Sequence, residues 1–179
     1  MQTRLGCAIA AAALSTAAGQ ARGDVIAVHP GGFETAAVVS IAAPAERVWA
    51  TLQSPALWWE PEHTYSGDSA NLSLGAQAGG CFCERLPGSG SVEHARVIYI
   101  QPSQVLRLQG GLGPLQAEAV TGVLTFELLA QETGTTQVKM TYLVSGHLRA
   151  GSEKLAPLVD QVLTLQLQRL KAAALKSLR

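Results

Sequence analysis

"AGGCFCERLPGSGSVEHARVIYI", residues 78–100, decides the fold. Two extended runs flank the turn-forming "PGSGS", so the stretch reads as an antiparallel hairpin. Side chains alternate along a strand, which puts Cys81, Cys83 and Arg85 on one face and Phe82, Glu84 and Leu86 on the other. With "PGSGS" as the loop, Leu86 opposes Val92, Glu84 opposes His94 and Phe82 opposes Arg96, and opposed residues share a face. The face holding Phe82, Glu84, Leu86, Val92, His94, Ile98 and Ile100 is the more apolar and is expected to point inward. Cys81, Cys83, Arg85, Glu93 and Tyr99 then point outward, with Arg85 and Glu93 as a surface pair.

That face assignment bears on the cysteines. A metal site built from both thiols and Glu84 would need ligands from opposite faces of one strand, and two thiols fall short of the usual four ligands. No metal and no cofactor are expected. A bridge between Cys81 and Cys83 is awkward, because two residues of extended chain hold their Cα atoms about 6.6 Å apart with parallel Cβ directions. The expectation is two separate, half-buried thiols. Glu84 and His94 carry the more interesting chemistry. A carboxylate beside an imidazole can fix one tautomer for acid–base catalysis, or it can simply satisfy a buried acid.

Outward from the hairpin, the chain continues as a meander. Strands are expected near 80–86, 92–101, 104–110, 118–130 and 136–146, separated by "PGSGS", "QPS", "GLGPLQ" and "QETGTT". Upstream, "FETAAVVSIAA" (33–43) reads as a first strand and "NLSL" as a short one. "PAERVWATLQS" reads as a helix with Pro44 at its first position and Val48, Trp49 and Leu52 on one side. "ALWWE" forms a second short helix, and "HTYSGD" is a turn in which Asp68 hydrogen-bonds locally and His63 is solvated. From Pro157 to Leu178 a long helix repeats Val159, Val162, Leu163, Leu167, Leu170 and Ala174 as one buried stripe, with Lys171, Lys176 and Arg179 near its C-terminal end.

The fold class is therefore α+β: a curved antiparallel sheet of about six to seven strands around a long C-terminal helix, with two short helices after the first strand. A core or a cavity lies between sheet and helix. Trp58, Trp59 and Tyr65 are placed to plug the sheet or line an opening, and "GGLGPL" (110–115) is a lip over that opening. Those glycines lack the strand–turn–helix context and the lysine of a phosphate loop. There is no GxSxG motif.

The first residues read as an export signal: Arg4, the apolar "LGCAIAAAALSTAA", and cleavage after Ala21. The apolar run follows Cys7, which excludes a lipoprotein site. The expected organisation is a signal peptide over 1–21, an extension over 22–32 and one domain over 33–179, in the periplasm or secreted. The whole chain has 13 Lys+Arg and 13 Asp+Glu, and the leader removes one arginine, leaving a charge near −1. That balance gives no footprint for nucleic acid or an anionic membrane. After cleavage no stable membrane anchor is expected.

"VWATLQSPALWW", "GGCFCERL", "RVIYIQPSQVLRLQGGLGPL" and the closing helix, in this order, resemble the START-like, Bet v 1-like (SRPBCC) superfamily. The likeness is greatest to bacterial Hsp90-ATPase-activator and polyketide-cyclase-like proteins, over about residues 33 to 175. The resemblance implies a helix-grip fold around an apolar cavity for a lipid, sterol or polyketide-like molecule. It implies no fixed catalytic set. An export signal argues against a cytosolic chaperone partner. Phe82, Glu84, His94, Leu108, Phe126, Met140 and Tyr142 fall on the inward phase, as do Leu124 and Leu128, while Thr125 and Glu127 face out. The expected ligand-binding set is Trp58, Trp59, Tyr65, Phe82, Leu108, Phe126, Met140 and Tyr142. Three functions follow: binding a hydrophobic small molecule, cyclase- or hydrolase-like catalysis by Glu84 and His94, or protein interaction through the outer sheet surface.

Overall fold

The computed structural model describes residues 19–132 and 134–176. The body of the expected export signal therefore lies outside the described residues. Eight strands form one antiparallel sheet, β1 (Arg22–His29), β2 (Gly32–Ile41), β3 (Leu72–Leu74), β4 (Cys81–Arg85), β5 (Ser91–Gln101), β6 (Val105–Gln109), β7 (Ala119–Ala130) and β8 (Thr136–His147). Their spatial order is β1-β2-β8-β7-β6-β5-β4-β3. Helix α1 (Ala45–Leu52) follows β2, and helix α2 (Ser152–Lys176) closes the chain. This is the α+β helix-grip arrangement.

One strand more is present than expected. Residues 22–29, read as an extension, pair with β2 as an edge strand. Seven of its eight residues are exposed, so no buried alternation marked it in the sequence. A bulge between Val25 and Ala27 leaves Ile26 outside the ladder and 54% exposed. By contrast, β7 and β8 pair without interruption from Ala119↔His147 to Ala130↔Thr136. Leu124, Phe126, Leu128, Met140 and Tyr142 face the core as expected, and Val138 and Val144 continue the alternation. Thr125, on the outward face, is nevertheless covered, and its hydroxyl accepts from Arg107 Nε at 3.1 Å.

Helix α1 buries Val48, Trp49 and Leu52, with Pro44 extended at the cap and not inside the helix. Helix α2 starts five residues before the expected position and carries Pro157 within it. It runs closest to β1, β2 and α1. Its second half seats Leu163, Leu167, Leu170 and Ala174 firmly, together with Gln166 and Lys171. Lys171 is therefore not a solvated end charge, and its ammonium donates to the Gly19 carbonyl. The sheet beyond α2 is covered by the segment after α1. There Trp58 meets Phe126 edge-on at 6.3 Å and Trp59 meets Phe82 at 5.3 Å. Among the described residues, no helix is long and apolar enough to cross a membrane.

Candidate functional site

The hairpin differs in register from the simple reading. Arg85 pairs with Ser91, Glu84 with Val92, Cys83 with Glu93 and Phe82 with Ala95. The loop is shorter than assumed, closed by the Leu86 amide on the Gly90 carbonyl at 2.8 Å. A bulge between Phe82 and Cys83 leaves His94 as the extra residue, so His94 and Ala95 are buried in succession. Past this first bulge Ala95 and Val97 face in and Ile98 faces out at 45% exposure, and a second bulge, between Val97 and Tyr99, leaves Ile98 and Tyr99 exposed in succession. Bulges of this kind re-aim side chains without breaking the sheet. Glu84 and His94 are thus not directly opposed, yet they meet.

Cys81 and Cys83 form a disulfide, which corrects the expectation of two free thiols. The ladder is irregular between Phe82 and Cys83, and here β4 is less than fully extended: the two Cα atoms stand 5.3 Å apart, well inside the range a bridge accepts. The bridge sits on the outer face beside Glu93, whose carboxylate pairs with Arg96 and not with Arg85.

Glu84 is 1% exposed. Its carboxylate accepts from the amides of Ser66 and Tyr65, the latter at 3.1 Å, and from His94 Nε2 at 2.9 Å. Burial acts to raise its pKa, but the donors from Ser66, Tyr65 and His94 outweigh it and hold the carboxyl below the usual range. An acid stabilised as its anion by three donors is a poor proton source at neutral pH. What it does is pin residues 64–66 to the sheet.

Thr64 and Tyr65 belong to one wall of a cleft of about 580 Å³, in the size range of small-molecule sites. Trp59, His63, Thr64 and Tyr65 form that wall, Leu112 to Leu115 form the second, and Leu155, Leu158, Val159, Val162 and Leu163 of α2 form the third. Tyr142 closes the base. The first half of α2 explains the space. Val159 and Val162, expected in the buried stripe, are only partly covered because they face the cleft and not the sheet.

Of the expected ligand-binding set, Trp59, Tyr65 and Tyr142 border this space. Trp58, Phe82, Leu108 and Phe126 instead surround a nearly solid spot with about 10 Å³ of free room, and Met140 is packed in the core. Two tryptophans and two phenylalanines are large enough to fill the middle of the sheet, which displaces the cavity to the end where α2 begins. Neither Glu84 nor His94 lines the cleft; Tyr65 links them to it, through its amide on Glu84 and its ring 5.9 Å from that of His94.

Polar groups tie the walls together. The Tyr142 hydroxyl donates to the Gly110 carbonyl at 2.8 Å and accepts the Leu112 amide at 3.0 Å. Burial, opposed in part by the Leu112 amide, pushes the phenol up to about 12, so it stays neutral. Gly122 makes this possible: a Cβ there would lie 2.3 Å from the Tyr142 oxygen. The lip thus stands where "GGLGPL" was expected to place it. His63 is not merely a solvated loop residue, since Nδ1 is 3.0 Å from Gln166 Nε2. Gln166 in turn accepts the Glu60 amide at 2.9 Å, and Arg169 grips Glu60 at 2.8 Å and the Trp58 carbonyl at 2.9 Å. Sequence pattern could not reveal this latch, because its partners stand about a hundred residues apart. Asp68 accepts the Ala70 amide at 2.9 Å, the local turn bond its position suggests.

No family model matches the chain, and no curated protein matches it. Solved structures do. A protein from Rhizobium leguminosarum superposes with a TM-score of 0.57 at 16% identity, over 87% of this chain and 98% of its own. Protein MLL2253 from Mesorhizobium loti gives 0.54 at 21%, over 77% and 95%. CalU16 from Micromonospora echinospora gives 0.52 at 14%, over 85% and 81%. At these identities the likeness establishes the shared fold: a single antiparallel sheet with a C-terminal helix, compatible with a helix grip.

Proposed function

We propose that this protein binds a hydrophobic small molecule in the cleft between the first half of α2, the 59–65 wall and the 112–115 lip. The observation that carries this reading is the cleft of about 580 Å³, walled largely by leucine and valine and backed by Trp59. An apolar molecule entering it would exchange water for packed side chains, the main source of affinity in such sites. The resemblance to the START-like superfamily supports the same class of ligand: lipid, sterol or polyketide-like. The reading includes export: cleavage after Ala21 would leave β1 whole from Arg22, while releasing the Gly19 carbonyl from Lys171 and the Ala21 amide from Gln168.

Catalysis by Glu84 and His94 has less support. The pair stands behind the cleft wall, and the carboxylate is already filled with donors.

The test is native mass spectrometry of the purified protein, followed by titration with N-phenylnaphthylamine while tryptophan fluorescence is recorded. A copurified lipophilic molecule, or saturable probe binding that quenches the tryptophan, is expected. A protein that is empty and indifferent to the probe and to fatty-acid and sterol competitors would overturn the reading.

A further inference from the structure

The Gln166–His63 latch determines which hydrogen-bonding group the cleft offers. Gln166 is 0% exposed, and its side-chain atom at 2.9 Å from the Glu60 nitrogen must be the carbonyl oxygen, because a backbone amide can only donate. Its other terminal atom is then the NH2 group, a donor, and it faces His63 Nδ1 at 3.0 Å. Two donors cannot share a hydrogen bond, so Nδ1 must accept. A neutral imidazole that accepts at Nδ1 carries its proton on Nε2. The His63 backbone is fixed as well: its amide donates to the Glu60 carbonyl at 3.0 Å, and its carbonyl accepts from Trp59 Nε1 at 3.2 Å.

We infer that His63 presents Nε2–H as a fixed donor at the cleft, and that the ligand is an uncharged hydrophobic molecule whose polar head, a carbonyl or similar acceptor, receives it. The inference rests on the cleft being the binding site. His63 and Glu62 both border the cleft. The neighbouring Glu62 carboxylate, exposed at the rim of the cleft, disfavours an anionic head by like-charge repulsion that solvent screens only in part. Among the described residues, no lysine or arginine lines the cleft to offset it. Buried Gln166 is here a positioning residue: it sets the tautomer and does not touch the ligand.

Two measurements test this. Two-bond nitrogen–proton NMR on imidazole-labelled protein should show His63 as the Nε2–H tautomer, with the preference lost in Gln166→Met; an Nδ1–H tautomer in the wild-type protein would overturn the inference. Displacement of N-phenylnaphthylamine by a matched series, nonane, methyl heptyl ketone and nonanoate, reads the head group. The ketone should bind about three- to tenfold tighter than nonane, the range one net hydrogen bond gives, and nonanoate should bind more weakly than the ketone. In His63→Phe the ketone-to-nonane ratio should fall to one or below, because the carbonyl then enters without a donor. A ratio unchanged by that substitution, or nonanoate as the best ligand, would sink the polar-head assignment. Failure of every member to displace the probe, nonane included, would overturn the cleft as a binding site, an outcome the NMR result distinguishes. If His63→Phe does not fold, the tautomer and the order of ketone, nonane and nonanoate, both measured on the wild-type protein, still decide.

Discussion

The Tyr65 hydroxyl donates to the Gly113 carbonyl at 2.9 Å, joining the two walls that flank the cleft. Tyr65 is 51% exposed, and a single exposed hydrogen bond contributes little to stability. Its removal should matter more for passage than for folding. Tyr65→Phe is expected to leave Tm within about 2 °C while raising both association and dissociation rates of N-phenylnaphthylamine, by stopped-flow fluorescence. Unchanged rates would show that this bond does not restrict entry.

Glu84 should behave as an anchor for residues 64–66. An amide in its place has only one oxygen for three donors and turns an NH2 group toward at least one of them. Glu84→Gln is expected to cost about 1–3 kcal/mol and to speed hydrogen exchange at the Tyr65 and Ser66 amides. Its folded pKa is lowered, so its stabilisation is present above the unfolded carboxyl pKa and disappears as pH falls through the folded one. The wild-type advantage should therefore shrink on acidification. Unaltered exchange in residues 64–66 would remove the anchoring role.

Tyr142 and Gly122 should act together on the lip. Tyr142→Phe leaves the Gly110 carbonyl and the Leu112 amide without their partner, at a cost of about 1–3 kcal/mol. Gly122→Ala drives a methyl into the phenol ring and should give a similar loss. If both act by freeing the lip, the double variant will lose less than the sum of the two. Strict additivity in chemical denaturation would refute the shared mechanism.

Asp160 carries the opposite pH signature. Burial, then the Asp24 carboxylate, raise its pKa, with only the Asp24 amide opposing them. The folded state thus favours the protonated acid, and stability falls as pH rises through the folded pKa. Asp160→Asn is expected to raise Tm at neutral pH, with the gain vanishing in acid. Parallel Tm-against-pH curves for the two proteins would contradict this.

The disulfide should be a modest stabiliser. Closing a loop of three residues restricts the unfolded chain by roughly 1.5 kcal/mol in the chain-entropy estimate. Reduction is therefore expected to lower Tm by about 3–6 °C. The bulge should survive, since the Gly79 amide donates to the Val97 carbonyl and the Val97 amide to the Gly80 carbonyl, both at 2.8 Å. Loss of the Glu84–His94 contact in reduced protein, read by NMR, would show instead that the bridge holds the hairpin in place.

The strands from Cys81 to His147 were legible because alternation and turn residues act locally. The two bulges in β5 were not. An extra residue costs the chain little locally but shifts every later side chain to the other face, which is how Ile98 came to point outward. His94 still reached its partner because the register moved by two residues: it stands two positions beyond Val92, which pairs with Glu84, and so keeps the inward face and meets the carboxylate diagonally. The cleft itself was half legible. Tyr65, Trp59 and the lip could be read, whereas the gap at the start of α2 depends on how far Trp58 and Phe126 fill the sheet. That volume balance is set by packing in three dimensions, and periodicity does not carry it.

The displaced Ile26 has a consequence for solution behaviour. β1 is the outermost strand on its side, and a straight outer strand offers its free backbone groups to any passing polypeptide. The kink at Ile26 interrupts that row midway, so two molecules meeting there cannot zip together over the full length. An open eight-stranded sheet can in this way remain a solitary unit in concentrated surroundings, without closing into a barrel.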